Sequence, residues 1–592
     1  MMLFRCAACL GIRMTREQPI ESAPTQRPDW IRRPWCVATA AGLLILSFIS
    51  NLVFLYNHCP FDLSEDESHY WQWSQRLAWG YYSKGPGIAA IIHAAVAVGR
   101  WFGQAHATMP VIRTPAVIFS LVSGLTSMFF VRRIFRDDRA GLMVIILSAG
   151  MPVFAVGSLI MTIDSPMYCA WALATLCLWL AVEPRPGAAN RVVPPSAGKA
   201  RWWWLYAAGV CTGLGILCKP VLLFLPPSLA IAAGFNRWLR SRLATWNSLG
   251  ALLVALLMQV PTLLWNAAHH WVMFRTIGGE GGLGGTIHLW SRIRQLPGHV
   301  LLYIGSQAGI CAGILFVLLV LAIVDGILRC RRNTDPVQAA PWCFLLAMTL
   351  PIFAFYFLVS LWNKVQPNWP AAGYFSGMAL LAGIATQRWN EPARNRWYRR
   401  WVVAAVAVGF VLTVFAENVQ RLYPLLGRLE INSRHISPKK WDPAFRLHDL
   451  KLRGRAIQKV RLSMWSGRGP LPLVIARRWD TASSLAFYLP GRPFVFCIQS
   501  LVGGPVNQFD FWPGIDQINP KTGKLRYAGR DAVLTGNFPP AAFEKIIVPA
   551  FARISPLEIV PLYYDGIYIE HLNVWKCYGF KGFPRGQFRR SY

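Results

Sequence analysis

Asp66-Glu67-Ser68-His69-Tyr70-Trp71-Gln72-Trp73, followed after a short gap by Gly80-Tyr81-Tyr82-Ser83-Lys84-Gly85-Pro86-Gly87, lies just beyond the first long apolar segment of the chain. Two carboxylates and a lysine therefore sit where a membrane helix meets water. Ionisable groups at that depth are costly unless paired or functional, so this stretch decides how the rest is read.

Outward from it, apolar runs of roughly 17–25 residues recur, each long enough to cross about 30 Å of hydrocarbon. Hydrophobic residues make up 54% of the 592, which a soluble domain rarely sustains, so the chain reads as a polytopic membrane protein. The formal charge of +33 would suit nucleic acid. Its Arg and Lys, however, cluster between apolar runs in the pattern of cytoplasmic loops, which argues against a nucleic-acid partner. Most of the thirteen cysteines fall inside apolar segments as small packing residues. Cys6 and Cys9 form a CxxC without a second pair, a weak zinc signal. Cys497 and Cys577 lie in the polar C-terminal part, where a disulfide between them is open if that part is extracytoplasmic.

Residues 1–35 are polar and Arg-bearing and read as a cytoplasmic tail. The apolar run after them is long for a signal-peptide core and lacks a small-residue cleavage site, so it reads as an uncleaved anchor. Segment 36–56 follows Arg27, Arg32 and Arg33 and should end outside. Segment 111–131 ends in Arg132, Arg133, Arg136 and Arg139 and should return inside. The run 87–103 must then begin and end outside, as an interfacial or re-entrant helix within a long first outer loop, 57–110. Segment 141–160 returns outward and delivers Thr162-Ile163-Asp164-Ser165-Pro166 to the same face as Asp66.

Further spans are expected at 167–182, 203–235 with a tight outer hairpin at Lys219-Pro220, 247–265, 298–324, 342–361, 371–386 and 401–416, about eleven in all. Residues 183–201 read as a cytoplasmic connector. The outer loop 266–297 holds His269, His270, Arg275 and the cluster Gly278-Gly279-Glu280-Gly281-Gly282, and reads as flexible. Residues 36–417 thus form a transmembrane catalytic region, and 418–592 fall outside. There, Leu473-Val474-Ile475 and Phe494-Val495-Phe496-Cys497 flank a capped short helix, Asp480 to Tyr488, which suggests a small α/β domain. The fold class is mainly α: a polytopic helical bundle with a C-terminal extracytoplasmic α/β domain.

This topology gathers Asp66, Glu67, Lys84, Asp164, Lys219, Arg275 and Lys364 on one face of the membrane. Carboxylates beside cations suit proton abstraction from a nucleophile next to a bound anion such as a phosphate leaving group. Simpler accounts stand beside that one: acidic residues favour helix N-termini, Asp164 precedes Ser165-Pro166 as a helix cap would, and Lys84, Lys219 and Lys364 suit interfacial anchoring. His269-His270 leaves a divalent metal open, although adjacent histidines point apart on a helix and no third ligand stands at ligand spacing. The glycine cluster matches no phosphate-binding loop, so nucleotide is not expected.

Taken together, Asp66-Glu67 with its aromatic neighbours, Tyr82-Ser83-Lys84-Gly85-Pro86, Met161 to Pro166, Lys364 to Pro370, Leu485-Ala486-Phe487-Tyr488-Leu489-Pro490-Gly491 and Asn507 to Gly514 resemble, in order, the bacterial glycosyltransferase family 39 members of the protein O-mannosyltransferase and lipid A aminoarabinose transferase superfamily. The resemblance implies a GT-C fold in the bacterial inner membrane and an extracytoplasmic active site. It implies a polyprenyl-phosphate-linked sugar as donor and a lipid, glycan or protein as acceptor. It places a catalytic carboxylate on Asp66 with Glu67 beside it, a second acid on Asp164, and donor-phosphate contacts on Lys84 and, more loosely, Arg275, with Lys219 and Lys364 as further cations. Many relatives carry a histidine or acid before Pro-Pro where this chain has Ser83-Lys84-Gly85-Pro86. A secondary transporter, which would place its charges midway across the spans, and an unrelated lipid-glycan ligase or polymerase, which would use Arg and His of a large outer loop, are the competing classes.

Overall fold

The computed structural model describes residues 30–184, 201–280, 289–391, 395–423, 430–431, 434–435, 442 and 445–584. The Cys6–Cys9 motif, nearly all of the N-terminal tail and of the 183–201 connector, and Gly281 and Gly282 lie outside the described residues.

Each of the eleven expected segments coincides with a helix or a pair of helices. Among the described residues, five helices are long and apolar enough to cross a membrane: Pro34–His58, Met109–Phe135, Asp164–Val182, Pro336–Ser360 and Arg396–Leu422. Three bent pairs raise that number to as many as eight. Trp202–Cys218 and Pro220–Phe235 are apolar but shorter, and between them Lys219-Pro220 breaks the helix as expected, because proline cannot donate to the preceding turn. The helix Ala371–Trp389 is buried along almost its whole length among the others. The protein is a multi-pass, mainly helical membrane protein.

Three expectations about segments need correction. The span at 141–160 is two helices, Asp138–Ala149 and Pro152–Leu159, bent by 78°. The single span at 298–324 is instead two helices that meet at 104°, Arg294–Ile310 and Ile314–Arg332. Ala312 and Gly313 take φ of 55° and 60°, and two successive left-handed residues cannot continue a right-handed helix. The outer loop 266–297 is largely helical rather than open, with Val272–Glu280 and the first turns of Leu289–Ile310 inside it.

The first loop carries the helices Glu65–Ser74 and Gly87–Trp101, the second at the place expected for an interfacial helix. The C-terminal part is built on a six-stranded sheet: β1 (Leu473–Ala476), β2 (Phe496–Cys497), β3 (Ala532–Thr535), β4 (Phe551–Ile554), β5 (Glu558–Tyr564) and β6 (Ile567–Phe580). Strand β1 runs parallel to β2 and β3, with the expected helix, Trp479–Tyr488, crossing between β1 and β2. The long β6 is antiparallel to β3, β4 and β5.

Strand order closes the question of a Cys497–Cys577 disulfide. In the order β2-β1-β3-β6, Cys497 and Cys577 sit three strand spacings apart, about 14 Å, which no disulfide spans. Both are free thiols, and Cys330 joins Cys343 across the turn between the Ile314–Arg332 and Pro336–Ser360 helices.

One apolar core runs without a break from the first loop into the C-terminal domain, taking in Leu63, Tyr70, Trp71, Trp73 and Ile92 with Leu485, Phe487, Val495 and Phe509. Trp71 meets Phe487 edge to face at 5.0 Å, Leu63 N–H donates to the Tyr488 hydroxyl, and Tyr82 N–H donates to Gln508 Oε1. Replacing a buried aromatic by alanine costs about 3–5 kcal/mol. Phe487→Ala is expected to loosen this seam, so that limited proteolysis in detergent clips the C-terminal domain at protease levels the parent chain survives.

Candidate active site

The sequence Ser64-Glu65-Asp66-Glu67 starts a helix by a capping box. The Ser64 hydroxyl accepts from Glu67 N–H at 3.2 Å, and the Glu67 carboxylate accepts from Ser64 N–H at 2.8 Å. Glu67 goes further than a cap. Arg113, near the start of the Met109–Phe135 helix, donates through Nε to Oε1 at 2.8 Å and through Nη2 to Oε2 at 2.7 Å, a bidentate pair with both side chains essentially inaccessible to solvent. Met161 N–H donates to Oε1 at 2.9 Å. Burial works to raise the Glu67 pKa, but the Arg113 charge and the hydrogen bonds from Arg113, Ser64 and Met161 outweigh it and hold the carboxyl below its usual range.

The Met161 bond ties the two acidic motifs together. Asp66 stands exposed in the first turn of the Glu65–Ser74 helix, and three residues past Met161 Asp164 opens the helix Asp164–Val182. Asp164 accepts from Lys219 Nζ at 2.5 Å and from Asn368 Nδ2 at 2.7 Å. Gly85 and Gly87 bring the lysine loop to the same place. A β-carbon on Gly85 would lie 2.4 Å from the Leu217 carbonyl oxygen, and one on Gly87 2.5 Å from Cys218 Sγ. Only glycine allows this approach, which seats half-buried Lys84 beside the chain that leads into Lys219. Asp66, Lys84, Asp164 and Lys219 therefore converge at one end of the helical bundle.

The other candidates stand apart from that convergence. Arg275 is exposed on the helix Val272–Glu280, and Lys364 is exposed four residues before Asn368; among the described residues neither side chain bonds to a carboxylate of the cluster. His269 donates from Nδ1 to the Trp265 carbonyl at 2.7 Å and stacks on the Trp265 ring at 4.0 Å; His270 is exposed with a φ of 55°. No group of three or more His, Cys, Asp or Glu able to hold a metal occurs among the described residues. Sequence reading missed three participants. Arg113, Asn368 and His69 carry no role in the sequence reading, although Asn368 and His69 lie inside the stretches quoted there.

His69 is wholly buried at the seam. Ser483 Oγ donates to the Trp479 carbonyl and so accepts from His69 Nδ1 at 2.8 Å, which fixes the tautomer. The ring packs among Trp73, Tyr82, Trp479, Phe509 and Trp512. Burial pushes its pKa down to about 3.

Comparison with known proteins shows what the chain is similar to. The crystal structure of ArnT from Cupriavidus metallidurans bound to undecaprenyl phosphate superposes with a TM-score of 0.51 at 15% identity, over 92% of this chain and 98% of that one. The apo form of the same protein gives 0.51 at 16%. A family model described as dolichyl-phosphate-mannose-protein mannosyltransferase matches residues 83–265. The lipid A galacturonosyltransferase RgtD of Rhizobium johnstonii is 24% identical over 352 residues, 60% of this chain and 67% of that protein. The chain has the GT-C fold. Over the residues these matches cover, it is similar to glycosyltransferases.

Two measurements separate scaffold from site. Breaking a buried ion pair from one side costs about 3–5 kcal/mol, whereas an exposed substitution changes stability by about 0.5 kcal/mol or less. Glu67→Gln is therefore expected to lower the thermal unfolding midpoint of the purified protein strongly, and Asp66→Asn to leave it near the parent value. His69 is neutral in the fold and protonates near 6.5 when released. The unfolded chain then binds the extra proton, so this contribution is fully present above pH 6.5 and is lost as pH falls toward about 3. The Glu67 contribution is lost only below the free glutamate value of about 4.3. Between these limits, His69→Phe is expected to flatten the pH dependence of unfolding by up to about 1.4 kcal/mol per pH unit relative to the parent chain.

Proposed function

We propose that the protein transfers a sugar from a polyprenyl-phosphate carrier to a lipid, glycan or protein acceptor on the extracytoplasmic face of the bacterial inner membrane. The observation that carries this reading is the Glu67–Met161 hydrogen bond, which links exposed Asp66 with half-buried Asp164, at the end of the bundle where Lys84 and Lys219 lie. The undecaprenyl phosphate bound to the ArnT structure and the lipid A acceptor in the name of the RgtD relative support the carrier and make lipid A the first acceptor to test.

In this reading the roles divide. Asp66 takes the proton from the acceptor nucleophile as that atom bonds to the anomeric carbon. The bond from that carbon to the carrier phosphate breaks on the opposite side, and the configuration inverts. Charge gathers on the departing phosphate, where Lys84 stabilises it and Arg275, on its exposed helix, closes from the outer side. Asp164 holds Lys219 and Asn368 in place at the floor of the site. Glu67 positions Asp66 and takes no proton, since its lone pairs are already committed to four donors. The domain from 418 onward stays outside, over the first loop, and the basic loops stay in the cytoplasm.

General-base removal typically costs 10²–10⁴-fold in rate. Asp66→Asn is expected to reduce release of undecaprenyl phosphate from an undecaprenyl-phosphate sugar by about that factor, measured by mass spectrometry on purified protein with lipid A as acceptor. Unchanged turnover would overturn the assignment. Reporter fusions after residues 60, 165 and 420 are expected to read extracytoplasmic, and one cytoplasmic result would break the shared-face topology.

A further inference from the structure

The helix Leu450–Ser463 turns Leu450, Gly454, Ile457 and Val460 to the interior of the C-terminal domain. Its opposite face carries Lys451, Arg455 and Lys459, all exposed, at spacings of four residues. Exposed Leu462 and Trp465 continue from them. Solvated helix faces commonly mix acids among such cations to form pairs one turn apart. This one does not: among the described residues no acid pairs with Arg455 or Lys459. The acids nearest to hand are used elsewhere, since Arg453 on the inner side holds both Asp449 and Glu570 at 2.6 Å.

Asp62 fixes where this helix begins. It is four residues past the end of the first span, Pro34–His58, and its carbonyl accepts from Arg113 at 2.6 Å, close to the start of the Met109–Phe135 span. Its carboxylate accepts from Lys451 N–H at 2.8 Å. The cationic helix thus begins at the level where two spans leave the hydrocarbon, within reach of the headgroups.

We propose that Lys451, Arg455 and Lys459 dock on the anionic phospholipid headgroups of the bilayer that holds the spans, with Leu462 and Trp465 settling at the interface. Along a helix rising 1.5 Å per residue the three charges cover about 12 Å, enough to engage more than one headgroup. Basic residues beside an anionic surface bind it additively and lose that attraction when salt screens it. A tryptophan suits the same level, where its ring is half in apolar surroundings. The contact would hold the C-terminal domain down on the membrane. It does not rest on the transfer reaction.

The test uses the full chain in nanodiscs of phosphatidylcholine, alone or mixed with phosphatidylglycerol, and reads hydrogen exchange across residues 450–465. Exchange is expected to slow several-fold in the anionic discs and to return to the phosphatidylcholine rate in about 1 M salt. The triple variant K451Q/R455Q/K459Q is expected to exchange equally in both discs while its thermal unfolding midpoint stays at the parent value. Equal exchange of the parent chain in the two lipids overturns the proposal. So does protection that survives in the triple variant, or protection that follows protein concentration rather than lipid charge, which would assign the face to a second copy.

Discussion

A carboxylate taken out of water is costly unless its charge is matched and its lone pairs filled, and Glu67 meets both conditions by drawing on separate parts of the chain. Its donors are its own helix cap, the second span through Arg113, and the backbone at Met161 that precedes the third long apolar helix. These segments are thereby oriented to one another through a single group. The two acids nearby, exposed Asp66 and half-buried Asp164, take their positions from it. An adjacent acidic pair thus divides its work: one member is absorbed into the fold, and its neighbour is left at the surface.

A second constraint acts from above. The glycines at 85 and 87 let the lysine loop lie directly on the backbone of Leu217 and Cys218, while Tyr82 is held by Gln508 of the C-terminal domain. The loop that carries Lys84 is therefore clamped between the bundle and the soluble part. With Trp71 against Phe487 and His69 against Ser483, the C-terminal domain forms the outer wall of the region where the charged motifs meet. The sheet gives this wall rigidity: the central β3 is bonded on both sides, and β6 pairs with three other strands.

Run length and loop charge were enough to find the helical segments and the change of character after 418, because hydrocarbon thickness and the distribution of Arg act on local sequence. Backbone direction is not local in that sense. The turn at Ala312-Gly313 sits inside a continuous apolar run, and hydropathy carries no record of a φ angle. The convergence of Asp66, Lys84, Asp164 and Lys219 was legible as sidedness, which parity supplies. The distances were not: Arg275 and Lys364 share the expected side with the others yet stay out of bonding reach of the acids. Arg113 was hidden because an arginine beside a span has an ordinary explanation, and its partner is 46 residues away. Whether Cys497 and Cys577 pair stayed open in the sequence for a related reason, since strand order decides it and the strand sequences do not state their order.

The seam between the first loop and the C-terminal domain also sets a schedule. His69 and Ser483 are 414 residues apart in the chain. At a synthesis rate of about 5–20 residues per second, the first loop emerges roughly 20–80 s before its covering partner exists. During that interval His69 and Trp71 lack the C-terminal side chains that later cover them. The nascent protein must therefore pass through a stage in which its most aromatic stretch is bare, shielded by the translocation machinery, by folding factors or by the bilayer itself. Chain order makes the earliest-built part of the site the last to be finished.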